Sequence, residues 1–526
     1  QRGRGTAVVR TPPPAPSHLH KAAGMACFSG VCGGAGAREF SEVIRPAGLE
    51  VKPQDAAPRV KLLAVESLFA RGPLDFASYP GLAFRLARCD AGALKSALSA
   101  TLAAHPLLAG RLLLEEVALT NDGVPFTVCD SPEQCAPETL EEKSLLHFAD
   151  FRKPQHLRKG LEPLMTVKLT RFRDGSAVLA MCRSHGLLDG TAAWVFVADW
   201  AAASRGEPLK ERTAADRAAM EALMPNEERL EELMLEWNGK RMTKSWAGWA
   251  MKYAVEPLIP VLNSLFLQGA TFPDRRQLFF SDEEVACIKA AATPEPGSAG
   301  DGWVSTQEAL TAYILLTVGR ATLPAKSKGR ALVFLFLDCR TALGLPKTTC
   351  TGHCLTLAAL KVHGILQKDL AQVAQDLHEA AKKAASPETL RTNWLLHAGL
   401  SERDMPFECL VEVLKMRTEA DITLQLNNQS KRVLPDFGGD ASGGQAEAVL
   451  TNAGPTLLLP AKGGLNVLLC PQFIGSGRRG AKVLKALRSQ IPGAPRLLGT
   501  KLSKEPEGLA KDVEAALPGM VKTMEA

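Results

Sequence analysis

Ala331 to Arg340 (ALVFLFLDCR) restricts the fold more than any other part of this chain. An extended segment that is apolar on both faces belongs inside a sheet covered on both sides, which in a layered protein means helices packed on strands. The neighbouring sequence supplies such a helix. VSTQEALTAYILLTVGRA opens with Ser305 and Glu308 at the spacing of a capping box and continues as a long apolar-rich run. The same alternation occurs earlier. VKLLAVESLF (Val60 to Phe69) reads as a short strand, and AGALKSALSATLAAHPLLAGRL carries Leu94, Leu98 and Leu102 at helical spacing until His105-Pro106 closes it before Gly110. Ala177 to His185 is apolar and extended, turns through Gly186 and Gly190, and enters TAAWVFVADWAAAS, the composition of a buried helix. The expected fold is therefore α/β.

At 526 residues, 46% of them hydrophobic and 22% charged, the chain is too long for one core and predicts two domains. Residues 1–50 read as a disordered or targeting segment, with Arg2, Arg4, Arg10, Lys21 and Arg38, no acid through position 38, and a proline run at Pro12 to Pro14. A missing upstream portion and a start at Met25 both fit the initial Gln1. Residues 51–240 would form the first domain, 241–275 an interdomain segment and 276–526 the second domain, with GSAGDG (Gly297 to Gly302) a loop near the divide. Trp246 to Phe272 is the nearest approach to a membrane span, but Lys252, Glu256 and Pro257 interrupt it before the roughly 18 apolar residues a span requires. A formal charge of +6 without a basic, aromatic-interleaved tract argues against nucleic acid as partner. The twelve cysteines form no C-x-x-C pair, and Cys350, His353 and Cys354 lack a partner cluster, so reduced thiols and no metal site are expected. GSGRRG (Gly475 to Gly480) lacks the Lys-Ser/Thr of a phosphate loop and reads as a solvated turn, with Arg478 and Arg479 in reach of an anionic ligand.

Chemistry concentrates at Arg183-Ser184-His185-Gly186-Leu187-Leu188-Asp189-Gly190. A strand end fixes an imidazole, glycine admits a ligand or a second chain, and histidine titrates near neutral pH as a general base must. By itself the segment equally suits a core histidine followed by an Asp that caps the helix.

A second segment, Leu434-Pro435-Asp436-Phe437-Gly438-Gly439-Asp440, changes the balance. The pair resembles the signatures of the BAHD family of plant-type acyl-CoA-dependent acyltransferases, H-x-x-x-D-G in mid-chain and D-F-G-W-G toward the end. LKSALSATLAAHPLLAGRL, VSTQEALTAYILL, FLDCRTALGLPKTTCTGH and TLLLPAKGGLNVLLCPQF are similar to further family segments in the same order, from about Val51 to Phe473. The resemblance implies two similar acyltransferase-like domains, each a mixed β-sheet with helices, around a channel. His185 would be the catalytic base there, acting on a hydroxyl or amine acceptor and an acyl-CoA co-substrate, with no permanently bound cofactor. It implies that Asp189 pairs with Arg340 to hold the turn, and that Asp436, Phe437 and Gly438 are structural. It also implies a cytoplasmic monomer, with a plastid destination if the N-terminal segment is a transit peptide.

The chain departs from the family pattern in three places. His353 stands where the family has Asn, Gly439 and Asp440 replace Trp and Gly of the late motif, and the family's preceding Trp is absent from LQLNNQSKRVLPDFGG. Gln429 is the expected substitute donor to an oxyanion. Two other readings stand beside this one. Condensation-domain and wax-ester-type acyltransferases share H-x-x-x-D-G but carry a second His where this chain has Ser184. A non-catalytic binding protein on the same fold would account for the altered late motif. Hydroxycinnamoyl transfer to a hydroxy acid is one candidate reaction; acetyl or aliphatic transfer to an alcohol or amine is another.

Overall fold

The computed structural model describes residues 38–492 except 64–65, 67–80, 139, 141–144, 153, 158, 210–214, 239–275, 295–301, 348–351, 404–412, 414, 439–446, 451–455 and 475–476. Residues 1–37, the Trp246 to Phe272 segment, most of the Gly297 to Gly302 loop, and Gly439 and Asp440 lie outside the described residues.

Two six-stranded mixed sheets carry the architecture. The first runs, in spatial order, Arg38–Ile44, Val124–Asp130, Met165–Arg171, Ala177–Arg183, Gly81–Leu86 and Glu447–Leu450. The second runs Leu355–Val362, Ala331–Asp338, Ile422–Asn428, Thr456–Ala461, Gly464–Leu469 and Arg276–Ser281. Each contains both parallel and antiparallel pairs. Ala331–Asp338 lies between two neighbours, as its two-faced apolarity requires.

The sequence division and the sheets differ in two respects. A strand, Arg38–Ile44, already precedes Val51: it is an edge strand whose side chains are mostly exposed, so it carries no apolar run to betray it. The first sheet also takes its last strand, Glu447–Leu450, from the 276–526 portion, paired antiparallel with Gly81–Leu86. Among the described residues of Val60 to Phe69, Val60 and Lys61 belong to the short strand Arg59–Lys61, in a separate three-stranded sheet.

Helices form where the local chemistry specifies them. Ala91–Ala104 starts at Asp90, whose side chain accepts from the N–H groups of Gly92 and Ala93, and stops at His105, which Pro106 keeps out of the helical region. Thr306–Thr322 starts with a reciprocal Ser305/Glu308 capping box. Gly477–Ser489 corrects the sequence reading, because Gly477 to Gly480 form its first turn rather than a free-standing loop.

Among the described residues the core falls into three clusters. The largest lies on the first sheet and includes Leu82, Phe84, Leu98, Phe126, Leu179, Phe196 and Trp200. The second surrounds Val333, Tyr313, Leu424 and Val467. Strand Thr456–Ala461 serves both: Leu457 and Leu459 enter the first cluster while Leu458 enters the second, which is the two-residue alternation of a strand between two cores. A third cluster joins Leu63, Met220, Leu230 and Met234 from the first half to Cys339, Leu343, Cys354 and Trp394 from the second. The His185 turn contributes Leu187 and Leu188 to the first cluster, and Asp189 bonds to Cys354 of the third.

Candidate active site

Strand Ala177–Arg183 is buried along its whole length, flanked by Met165–Arg171 and Gly81–Leu86. It ends in a turn held by Ser184 N–H donating to the Leu164 carbonyl at 2.8 Å and Leu188 N–H donating to the Ser184 carbonyl at 3.3 Å. Helix Gly190–Ser204 follows, with Asp189 as N-cap: its Oδ1 accepts from Ala192 N–H at 2.8 Å. The helix-capping reading of Asp189 is thus part of the structure.

The other oxygen of Asp189 serves a second purpose. Oδ2 is 2.9 Å from Arg340 Nη2 and accepts from Cys354 N–H at 2.9 Å, and both Asp189 and Arg340 side chains are fully buried. Arg340 also donates to Asp338 Oδ1 at 3.1 Å and to the Gly352 carbonyl at 2.5 Å. The structure therefore brings together the two charged residues expected to pair, across the junction between the halves. Burial by itself would raise the Asp189 pKa, but the Arg340 guanidinium and the two backbone donors outweigh it and hold the carboxyl below its ordinary value.

His185 is buried on this turn, its ring centroid 5.5 Å from that of His353, with 34° between the ring planes. Burial, then the His353 and Arg183 charges, push its pKa down to about 3. The imidazole is neutral at pH 7, the form in which a histidine accepts a proton. Arg183 itself is buried, and its Nε and Nη1 have no hydrogen-bond partner among the described residues. Burial draws its pKa down to about 10.

Gln429 lies close by, its Nε2 2.9 Å from where a Cβ on Gly190 would stand, so a side chain at the head of the helix would require the Gln429 amide to move. Both ends of its amide are engaged: Nε2 donates to Asn427 Oδ1 at 2.6 Å, and Oε1 accepts from Arg432 Nε at 3.0 Å. Arg432 also donates to Thr191 Oγ1 at 2.6 Å, and Thr191 donates to Asp338 Oδ2 at 2.8 Å. Sequence reasoning passed over Arg432, Thr191 and Asp338. A basic residue in a polar loop and a threonine in the first turn of a helix carry no pattern that separates them from surface residues.

Asp436, Phe437 and Gly438 stand elsewhere, at the far end of the same helix. Phe437 packs against Phe84 at 5.8 Å and Trp200 at 5.4 Å, and its carbonyl accepts from Ser204 Oγ at 3.0 Å. The Asp436 carbonyl accepts from Arg205, and Asp436 Oδ1 accepts from Gly438 N–H at 2.9 Å. A helix of 15 residues spans about 21 Å, so this motif stands well away from the His185 turn.

Among the described residues no cluster of His, Cys, Asp and Glu could hold a metal ion, no cysteine is in a disulfide, and no helix is long and apolar enough to cross a membrane.

The fold is shared with solved structures. Vinorine synthase superposes with a TM-score of 0.55 at 18% identity, covering 82% of this chain and 94% of that one. TRI101 of F. graminearum, solved with coenzyme A and T-2 mycotoxin, gives 0.56 at 16% identity over 82% and 97%. These likenesses define the fold as a mixed α/β architecture of two sheets. In sequence, residues 87–244 match the Transferase family. An omega-hydroxypalmitate O-feruloyl transferase of Arabidopsis thaliana is 27% identical over 237 residues, 42% of this chain and 46% of the relative. The chain thus spans about half the length, or less, of the curated relatives it matches. The matched stretch holds the His185 motif, one of the two that resemble the BAHD acyltransferases.

Proposed function

We propose that this protein moves an acyl group from an acyl-CoA thioester to the hydroxyl or amine of a small acceptor, with His185 as general base and no covalent acyl-enzyme. The observation that carries this reading is a neutral imidazole fixed on a strand-end turn, whose following Asp is bound to Arg340 instead of being free to charge the ring. In the reaction a His185 nitrogen takes the acceptor proton as the acceptor oxygen or nitrogen attacks the thioester carbonyl. The tetrahedral oxyanion collapses, expelling the CoA thiolate, which regains a proton. Asp189 and Arg340 act on the turn and not on the reacting atoms. Gln429 has a second amide hydrogen beyond the one given to Asn427, and is the candidate donor to the oxyanion. A Gln429→Ala enzyme with unchanged turnover would remove it from that role.

Hydroxycinnamoyl transfer to a hydroxy acid is the candidate reaction, supported by the feruloyl transferase among the relatives. We place the enzyme in the cytoplasm or plastid as a monomer of two domains, with the divide within 241–275. The test is thiol release from acetyl-, malonyl-, fatty-acyl- and hydroxycinnamoyl-CoA with pooled alcohols and amines. An acceptor-dependent signal that falls by about 100-fold or more in His185→Ala is expected. Silence of both proteins while CoA still binds would make this a binding protein on a transferase fold.

A further inference from the structure

His353 occupies the position at which the family resemblance places an asparagine, and the structure gives its segment more backbone anchors than a surface loop needs. The carbonyl of Gly352 accepts from Arg340 at 2.5 Å. The N–H of His353 bonds to the buried Glu66 carboxylate, which Arg217 neutralises, and the His353 carbonyl faces Trp394 Nε1 at 3.5 Å. Cys354 donates its N–H to Asp189 at 2.9 Å, and its carbonyl accepts from Cys339 N–H at 2.7 Å. Cys354 and Trp394 are themselves members of the third core cluster. The segment is therefore fixed through its main chain, and the imidazole it carries lies beside that of His185, the ring centroids 5.5 Å apart and the planes tilted by 34°.

We infer that His353 is a positioning residue for the proposed transfer, holding the His185 ring in its reactive orientation through the contact of the two imidazoles. This rests on His185 being the base. A histidine at the end of a strand retains two side-chain torsions, and a misplacement of an ångström at a reacting group is enough to cost orders of magnitude in rate. A second ring against the first removes that freedom while keeping water away from one side. The charged and titratable groups around the pair are Arg183 and Asp189 on the motif segment, Arg340 from the second half, and Glu66 behind the His353 backbone. Among them, His353 opposes a proton on His185 directly, because two imidazolium rings in contact repel.

Two substitutions separate the contributions. His353→Asn installs the family residue, keeps the backbone anchors and removes the ring; His353→Phe keeps a ring that cannot be protonated. In the full-length protein we expect His353→Asn to lower kcat by about 10-fold or more with little change in KM for the acyl-CoA. The acid limb of its kcat/KM profile moves to higher pH, since losing both the opposing charge and the covering ring lets His185 bind a proton sooner. His353→Phe should recover part of the kcat loss and show a smaller shift. Titration of the His185 ring nitrogens by NMR follows the same contact without turnover. Should no acyl-CoA release thiol even from the wild type, an upward-shifted His185 titration in His353→Asn still supports the contact while the transferase reading fails. Coincident His185 titrations, or coincident acid limbs with undiminished kcat, in the wild type and both variants overturn the inference. If His353→Asn does not fold, the comparison of His353→Phe with the wild type decides.

Discussion

The two ends of helix Gly190–Ser204 are both joints between the halves of the molecule, built from opposite materials. At the N-terminal end, Asp189 and Arg340 meet in full burial, with Thr191, Asp338 and Arg432 beside them. At the C-terminal end, Phe437 supplies an apolar plug, and the polar contacts around it, from Arg205 and Ser204, reach the surface. A buried ion pair adds little net stability, yet removing one partner strands the other charge in a dry site. An apolar plug contributes by area, without regard to what chemistry lies nearby. The first joint therefore couples folding to the site, and the second only folding.

Substitutions at each end can break this contrast. Arg340→Met should have the largest effect: a loss of about 3–5 kcal/mol in denaturant unfolding, together with a fall in turnover per folded molecule. Phe437→Ala should cost about 3–5 kcal/mol for an emptied aromatic site, leaving turnover per folded molecule near wild type. Equal losses of turnover in the two variants would dissolve the distinction. Gly438→Ala, at a φ of +74° and with Arg205 Cγ 3.2 Å from the new methyl, should cost about 1–2 kcal/mol, and Arg205→Gln no more than about 1 kcal/mol.

Buried histidines give the molecule a pH signature as well. His185, His353 and His397 are held neutral by burial, with pKa values of about 3, 4 and 4 against 6.5 for an ordinary imidazole. The unfolded chain binds protons at these rings first, so stability is full above pH 6.5 and declines as pH falls from 6.5 toward 4. Asp189, with its pKa lowered, keeps its contribution down to the ordinary carboxylate range and loses it only below. Denaturant midpoints between pH 7.5 and 4.5 should therefore slope downward, less steeply in His353→Asn. A flat profile would show that these rings are solvated.

What could be read from the sequence follows from where its signals are local. The Ser305/Glu308 capping box, the closure at His105-Pro106 and the strand-turn-helix around His185 are each decided within a few residues, and each appears in the structure. Asp189 and Arg340 were paired through resemblance, since nothing local in Asp-Cys-Arg points to a partner in the other half. Arg38–Ile44 escaped because an exposed edge strand has no hydrophobic period. GSGRRG reads as a turn because it is glycine-rich and lacks the Lys-Ser/Thr of a phosphate loop, yet Gly477 to Gly480 open a helix. The engagement of Gln429 by Asn427 and Arg432, and the ring contact of His353 with His185, depend on three-dimensional meetings that spacing does not encode.

The first sheet has a timetable written into it. Its final strand, Glu447–Leu450, leaves the ribosome long after the five strands it completes, the last of which ends at Arg183. Until then Gly81–Leu86 is an open edge, and the apolar face awaiting Phe437, Leu457 and Leu459 is uncovered. An N-terminal fragment ending at residue 240 should accordingly remain sticky until the C-terminal fragment is added in trans.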